Sequence, residues 1–598
     1  VSRFLRALLF ALLCISPQFV TLATHGSHDP RILGDGDESF YLSQLQEFGH
    51  LPIRELFKIN EGNLAIFSNP EVKLPHNLID IAFSRVSPLL SPIQIGLLLD
   101  LICCCLIYIL GSALLDQSGG KCWHSEIGAT VMIKLPWLFS IEELLQWPLF
   151  GEHYLTWSHS FFPNPPALRA VYTQLGMLGF IACILLYIRI ISNREQNYRI
   201  AGALVLGILS ASLLYTYFFA WASLLCVLGI ASLVMLWQHR KTFTAREVIL
   251  PALSGSLSLL LVSLPGLAHF FRSGTLYAPG PGEDLPRIVH YLDFSLWWYV
   301  PPLTLAFITV LGYQLFRRKT GLSTLLLFSL LTAVPLLMNI QGVLGRWITP
   351  YHFPLFFIHP LVSAIGIVLI LKQFTEPLPR VLLGGCIVIT ILTNIYLVAQ
   401  NARTAIASEG PLLEFLATSV PPGASIASLP YDTKNSLSPA TISYMLLPYW
   451  IKAFTPLQSY SQFMSFDPDR RALARRELSL NLLFKGEIAP IIACPDEGRA
   501  RVSASDVLLG ATAYHQAQRL VDCSVLRQLA QSSTSCSLIS EHPVEYMIWE
   551  STFDFPQPRW YSSFSHLQWK SLDGRYSVYQ IDYAALRTFF CSNQTNLG

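Results

Sequence analysis

The sequence predicts an α-helical polytopic membrane domain of about eleven spans, followed by a C-terminal extracytoplasmic α/β domain. Three observations predict it. Of 598 residues, 52% are hydrophobic and only 13% charged, and mean hydropathy is +0.45, whereas soluble proteins average about 25% charged residues. Apolar stretches near 20 residues recur through the first two thirds of the chain, the length a helix needs to cross a bilayer. After Ala399 such runs stop, and Ser, Arg, Glu and Asp become frequent. The net charge of +2 is too close to neutral to favour nucleic acid as a partner.

The candidate spans cover roughly 4–23, 91–115, 127–141, 170–190, 199–215, 217–237, 247–270, 297–316, 321–341, 353–373 and 380–400. The third is short and carries Lys134 and Pro136, so a re-entrant segment is the alternative there. The first follows Arg3 and Arg6, and its other reading is a cleaved signal peptide, against which its small-residue cleavage pattern is poor. The chain opens on Val1, which fits a GTG start and a bacterial source; a fragment start is the alternative.

Basic residues set the orientation. Arg3, Arg6, Lys121, Arg189, Arg194, Arg199, Arg240, Lys241, Arg246, Arg317, Arg318, Lys319, Lys372 and Arg380 all fall on the side of the N-terminus when the third helix is counted. The expected localisation is therefore a bacterial inner or plasma membrane, with the N-terminus cytoplasmic and the C-terminus outside. Residues 1–400 form the membrane domain and 401–598 the soluble one. Within the latter, Ser425–Leu429, Ile488–Ala493, Asp506–Leu509 and Tyr576–Ile581 read as short apolar stretches of strand type, and Pro468–Phe484 as a helix. Cys494, Cys523, Cys536 and Cys591 could pair there in three connectivities, and their spacing fits no zinc pattern. Cys103, Cys104 and Cys105 lie inside a span and read as buried apolar filler.

Four segments face outside: about 24–90, 142–169, 271–296 and 345–352. The first holds Asp35-Gly36-Asp37-Glu38, three carboxylates within four residues just past a membrane exit. Oxygen ligands so spaced can hold a divalent cation such as Mg²⁺ or Mn²⁺, or one carboxylate can act as a base; a solvated loop start is the plain alternative. Residues 39–48 follow with apolar side chains at helical spacing, as in a helix lying along the membrane surface. The second segment holds Glu142, Glu143, Glu152, His153, His159 and Arg169; the third is Gly/Pro-rich and begins near Arg272; the fourth holds Arg346, Trp347, Tyr351 and His352. Arg346 and His352 suit a phosphate, although an arginine anchoring a helix end with Trp347 and Tyr351 reads equally well. Arg272, His153 and Arg169 are weaker candidates. Asp100, inside the second span, is a costly intramembrane carboxylate without an evident ionisable partner, and it is the main argument for a transporter or flippase. Phe218, Phe219, Trp221, Trp297, Trp298 and Tyr299 read as interfacial belts.

One helix, a first outer loop with an Asp-x-Asp-Glu cluster and an interfacial helix, many spans and an outer C-terminal domain together resemble the GT-C superfamily of integral-membrane glycosyltransferases. Leu412–Ala427 and Tyr576–Ile581 resemble the opening and closing of the C-terminal domain in its bacterial members. The resemblance implies a donor sugar on a polyprenyl phosphate or diphosphate, attacked with inversion by an acceptor (protein, lipid or glycan) that a first-loop carboxylate deprotonates. By position that base is Asp35 or Asp37, with the other and Glu38 orienting it. It implies cations for the phosphate, sought in Arg346, His352, Arg272 and His153. It leaves open a divalent metal on Asp35, Asp37 and Glu142. A non-catalytic envelope assembly protein is the remaining alternative.

Overall fold

The structure is a computed structural model that describes residues 2–33, 42, 90–134, 171–193, 195–239, 245–272, 302–317, 321–338, 353–374, 378–403, 409–428, 447, 450–459, 470–488, 525–541, 543–551 and 556–592. Helices dominate up to Arg403. They are α1 (Arg3–Cys14), α2 (Ser16–His25), α3 (Pro92–Gln117), α4 (Cys122–Lys134), α5 (Val171–Ser192), α6 (Gln196–Leu214) and α7 (Phe218–His239). There follow α8 (Ala245–Arg272), α9 (Pro302–Arg317), α10 (Leu322–Met338), a π-turn at Pro354–Ile358 leading into α11 (His359–Leu371), and α12 (Leu378–Arg403). Each of the eleven apolar stretches is helical in part or all of its described residues.

Among the described residues, six of these helices are long and apolar enough to cross a membrane. A seventh results if α1 and α2, bent by 48°, form one broken span. The others are shorter in their described parts; α4 has 13 residues and α9 has 16. The protein is thus a polytopic, membrane-embedded chain. Its outermost helix faces carry leucine where a soluble protein would carry charge: on α8, Leu253 and Leu261 are each 60% exposed, and on α12 Leu392 is 59% exposed. Such a surface is stable only against lipid.

Local chemistry sets the helix ends. Ser91 caps α3 in a reciprocal box, its hydroxyl accepting from the Gln94 N–H while the Gln94 side chain accepts from the Ser91 N–H, and Pro92 fills the first turn, where no N–H is needed. The first span breaks at Ile15 because Pro17, which lacks an N–H, opens α2 there. The expected single helix over 4–23 is therefore two.

One end of the bundle gathers the basic loops. Arg3 pairs with Asp116 at 2.8 Å and Arg6 with Glu126 at 2.6 Å, joining the start of α1 to the end of α3 and the start of α4. Lys372 and Ser323 both donate to the Ser118 carbonyl, at 2.9 and 2.7 Å, and Arg380 lies over the Trp123 ring. This brings the start of α10, the end of α11 and the start of α12 to the same end.

The opposite end carries a five-stranded mixed sheet. Its strands are β1 (Ser425–Ser428), β2 (Gln458–Ser459), β3 (Tyr546–Glu550), β4 (Ser565–Lys570) and β5 (Tyr576–Ile581), in the order β2-β1-β3-β5-β4. β1 runs parallel to both β2 and β3, and β5 is antiparallel to β3 and β4. Alternating side chains feed two cores. Ile426, Tyr546, Ile548, Tyr576 and Val578 pack with α13 (Glu409–Ser419) and, through Ile93, Ile95 and Leu99, with the start of α3. Met547, Trp549 and Ile581 pack on the other face with α14 (Arg470–Lys485), α15 (Ser535–Glu541) and α17 (Tyr583–Ser592), the short α16 (Tyr561–Phe564) lying between β3 and β4. A disulfide joins Cys536 of α15 to Cys591 of α17. Cys494 and Cys523 lie outside the described residues, as do the expected strand segment Asp506–Leu509 and all of Ile488–Ala493 but Ile488.

Candidate functional site

The break in the first span lies beside a buried polar cluster of the helical bundle. Asp100 of α3 is 1% exposed. Its two carboxylate oxygens are each taken by a glutamine amide: Gln18 of α2 donates to Oδ2 at 2.9 Å, and Gln174 of α5 donates to Oδ1 through a short contact. Gln174 is fully buried. Once their nitrogens point at Asp100, the Oε1 atoms of Gln18 and Gln174 are buried and take no hydrogen bond among the described residues. No ion pair reaches Asp100 among the described residues. The partners expected for such a carboxylate are thus two neutral amides from helices 74 and 82 residues away in sequence.

A second polar station lies on the other side of the break. Asn394 of α12 donates to the Leu13 carbonyl at 2.5 Å and to Ser16 Oγ at 3.1 Å. Ser16 Oγ in turn donates to the Leu13 carbonyl at 2.9 Å. A carbonyl released by a helix break in lipid needs such donors. Asn394 Oδ1 accepts from Lys134 Nζ at 3.3 Å, and Lys134 is buried at the end of the described part of α4. Cys14 of α1 and Cys104, one helical turn from Asp100 on α3, are free thiols buried in the same core. The cysteine run is buried, as expected for Cys103, Cys104 and Cys105.

From the break, α2 climbs to the junction with the sheet. Asp29 is buried, and its carboxylate sits against Gly410, where a Cβ would lie 3.5 Å from Oδ2. The turn Pro30–Ile32 sends Ile32 into the core shared by the start of α3, Leu412, Leu413 and Leu416 of α13, and the sheet. Leu42, the one described residue of the expected interfacial helix, is helical and fully buried in that same core.

An ion network locks α13 to the sheet below this junction. Arg575 meets Glu409 at 3.1 Å and Glu550 at 2.9 Å, and the Tyr576 hydroxyl donates to Glu409 at 2.9 Å. Burial holds the Glu409 carboxyl above its ordinary value, with Arg575 and then Tyr576 pulling it back. Burial would lower the Arg575 guanidinium, but Tyr576, Glu409 and Glu550 raise it overall, so it stays charged.

Of the sequence-predicted site residues, Asp35, Asp37, Glu38, Glu142, His153, Arg346 and His352 lie outside the described residues. Arg272 ends α8. Among the described residues, no three His, Cys, Asp or Glu side chains come together as a metal site. Gln18, Gln174 and Asn394 carry no signal in sequence beyond being amides inside apolar runs. Lys134, which weakens the third span in sequence, is an integrated member of the polar centre. No family model and no curated protein matches the chain.

Proposed function

We propose that this chain is an integral-membrane glycosyltransferase of the GT-C type, taking a sugar from a polyprenyl-phosphate or diphosphate donor. The observation that carries the reading is the shared core at the junction. Beyond the first span, Leu33 packs against the core shared by the sheet and the start of α3, and Asp35 follows two residues later in sequence. The acidic quartet follows in sequence directly after this seam between the membrane bundle and the C-terminal module, and a lipid-borne donor and an outer acceptor would meet at such a seam.

In this reading Asp35 or Asp37 takes the proton of an acceptor hydroxyl or amide as it attacks the anomeric carbon, and the lipid phosphate leaves. A positioned carboxylate supplies perhaps 10²–10⁴-fold as a general base. Glu38 orients it, and Arg346, His352, Arg272 and His153 are the cations proposed for the phosphate. Mg²⁺ or Mn²⁺ on Asp35, Asp37 and Glu142 is a further part of the proposal, and no step is routed through it. The eleven-span count, the division at residue 400 and an outward C-terminal module belong to the same proposal. Two observations support the orientation: basic side chains gather at the far end of the bundle, and the sheet module holds a disulfide between Cys536 and Cys591.

The test is transfer of labelled sugar from polyprenyl-phosphate donors by the purified protein. Asp35→Asn or Asp37→Asn should lower turnover by at least 10², in line with loss of a general base. Wild-type turnover in both single variants and the double removes the assignment. The transporter reading is favoured by one observation, the Asp100 centre beside a broken span. It predicts solute flux in vesicles that survives both substitutions.

A further inference from the structure

The polar centre beneath the junction has a count of donors and acceptors that does not close. Asp100 brings two oxygens, each met by one amide nitrogen. The two amide oxygens, on Gln18 and Gln174, are left buried with no hydrogen bond among the described residues. The carboxylate is 1% exposed and has no ion pair among the described residues. Lys134, the nearby buried cation, spends its ammonium on Asn394. A buried carboxylate without counter-charge and two orphaned acceptors are each costly, more so inside a membrane.

A proton answers only half of this. It neutralises Asp100, but the new O–H needs an acceptor, so one glutamine must turn its oxygen inward and orphan its nitrogen instead. A hard cation supplies the missing counter-charge and takes carboxylate and amide oxygens as ligands together, with both glutamines turning their oxygens inward. The charge count selects its valence. One carboxylate neutralises one positive charge, whereas a divalent ion would leave a net charge inside the bilayer. We infer that Asp100, Gln18 and Gln174 form a binding site for a monovalent alkali cation, sodium or potassium, at the break of the first span.

The site would join three helices: α2 through Gln18, α3 through Asp100 and α5 through Gln174. Of these, α2 runs straight on to Asp29 and Ile32 at the sheet junction. Occupancy thus sets how firmly the upper half of the broken span is held. This inference needs nothing from the transferase reading.

The experiment is thermal unfolding of the purified full-length protein in sodium, potassium or choline chloride at constant ionic strength and pH. The midpoint should rise with sodium or potassium concentration and saturate, as for any ligand of the folded state, and stay flat in choline. In Asp100→Asn the alkali-dependent rise should vanish. In Gln174→Leu the half-saturating concentration should increase by about tenfold, equal to about 1.4 kcal/mol. Should those variants fail to fold, ²²Na⁺ retention by the wild-type protein, displaced by excess unlabelled sodium, carries the test alone. Equal midpoints in all three salts with no retained ²²Na⁺ overturn the site. A midpoint that follows pH but no alkali ion also overturns it, in favour of a proton. The transferase assay is independent: Asp35→Asn and Asp37→Asn should leave the sodium response unchanged.

Discussion

Arg575→Met should unfasten the C-terminal module from the bundle. The guanidinium bridges Glu409 at 3.1 Å and Glu550 at 2.9 Å, and the two carboxylate side chains are 0% and 3% exposed against 15% for Arg575. Removing one partner of a buried pair costs about 3–5 kcal/mol, since it strands a desolvated charge. Here one substitution removes the shared cation of two carboxylates that repel each other. A domain of this size loses roughly 2–4 °C of melting temperature per kcal/mol, so the module should melt about 6–20 °C earlier at neutral pH. The pH profile adds a sign. Burial holds the folded Glu409 carboxyl above its ordinary value, so folding takes up a proton between the unfolded and folded values. The stabilisation this brings is complete below the unfolded value and lost as pH rises through the folded one. Without Arg575 the folded value climbs further, so the deficit of the variant should shrink as the medium is acidified. The assay is thermal unfolding of the full chain followed by proteolysis within 409–592. A loss below about 1 kcal/mol, the scale of an exposed ion pair, or a deficit that grows in acid would refute the reasoning. The neutral triple variant Glu409→Gln, Arg575→Met, Glu550→Gln should recover most of the loss, because no charge is then buried.

Cys122 is exposed beside Arg3 and Arg6, so a membrane-impermeant maleimide should label it in inside-out vesicles and leave it unlabelled in intact cells. The reverse pattern inverts the proposed orientation. Replacing Cys536 and Cys591 together with alanine opens a loop with a sequence separation of 55; the chain-entropy model puts the cost at about 4 kcal/mol, measurable as a lower melting temperature under oxidising conditions only. Gly207→Leu should separate α6 from α8, where a Cβ would strike the Gly255 carbonyl and Ser258. The expected loss is about 1–3 kcal/mol, read as earlier unfolding in detergent.

The helices were legible because a run of about 20 apolar residues is the strongest short-range signal a sequence carries. The sheet was less so, for opposite reasons at two strands. Tyr546–Glu550 is buried on both faces and so lacks the alternation that marks a strand. Ser565–Lys570 is an edge strand, largely exposed, with no apolar face to read. Tyr576–Ile581, with one neighbour on each side, was read correctly as a strand. In the candidate site, Asp100 was visible because charge inside a span is rare. Its partners were not: an amide costs an apolar run little, and Gln18 and Gln174 meet Asp100 only after three helices pack.

The first span explains why these features belong together. A straight helix over 4–23 would satisfy every backbone group internally and need nothing from its neighbours. Breaking it at Ile15 frees the Leu13 carbonyl, and the bundle must supply Asn394 and Ser16 to satisfy it. The break also swings Gln18 towards Asp100 and directs α2 to the seam where Ile32 enters the core of the sheet. A helix break in lipid is costly unless partners are in place, so Ser16→Ala with Asn394→Leu should destabilise the span far more than either polar group would at a surface. A broken first span therefore links the polar centre to the junction along one continuous stretch of chain, from Gln18 to Ile32.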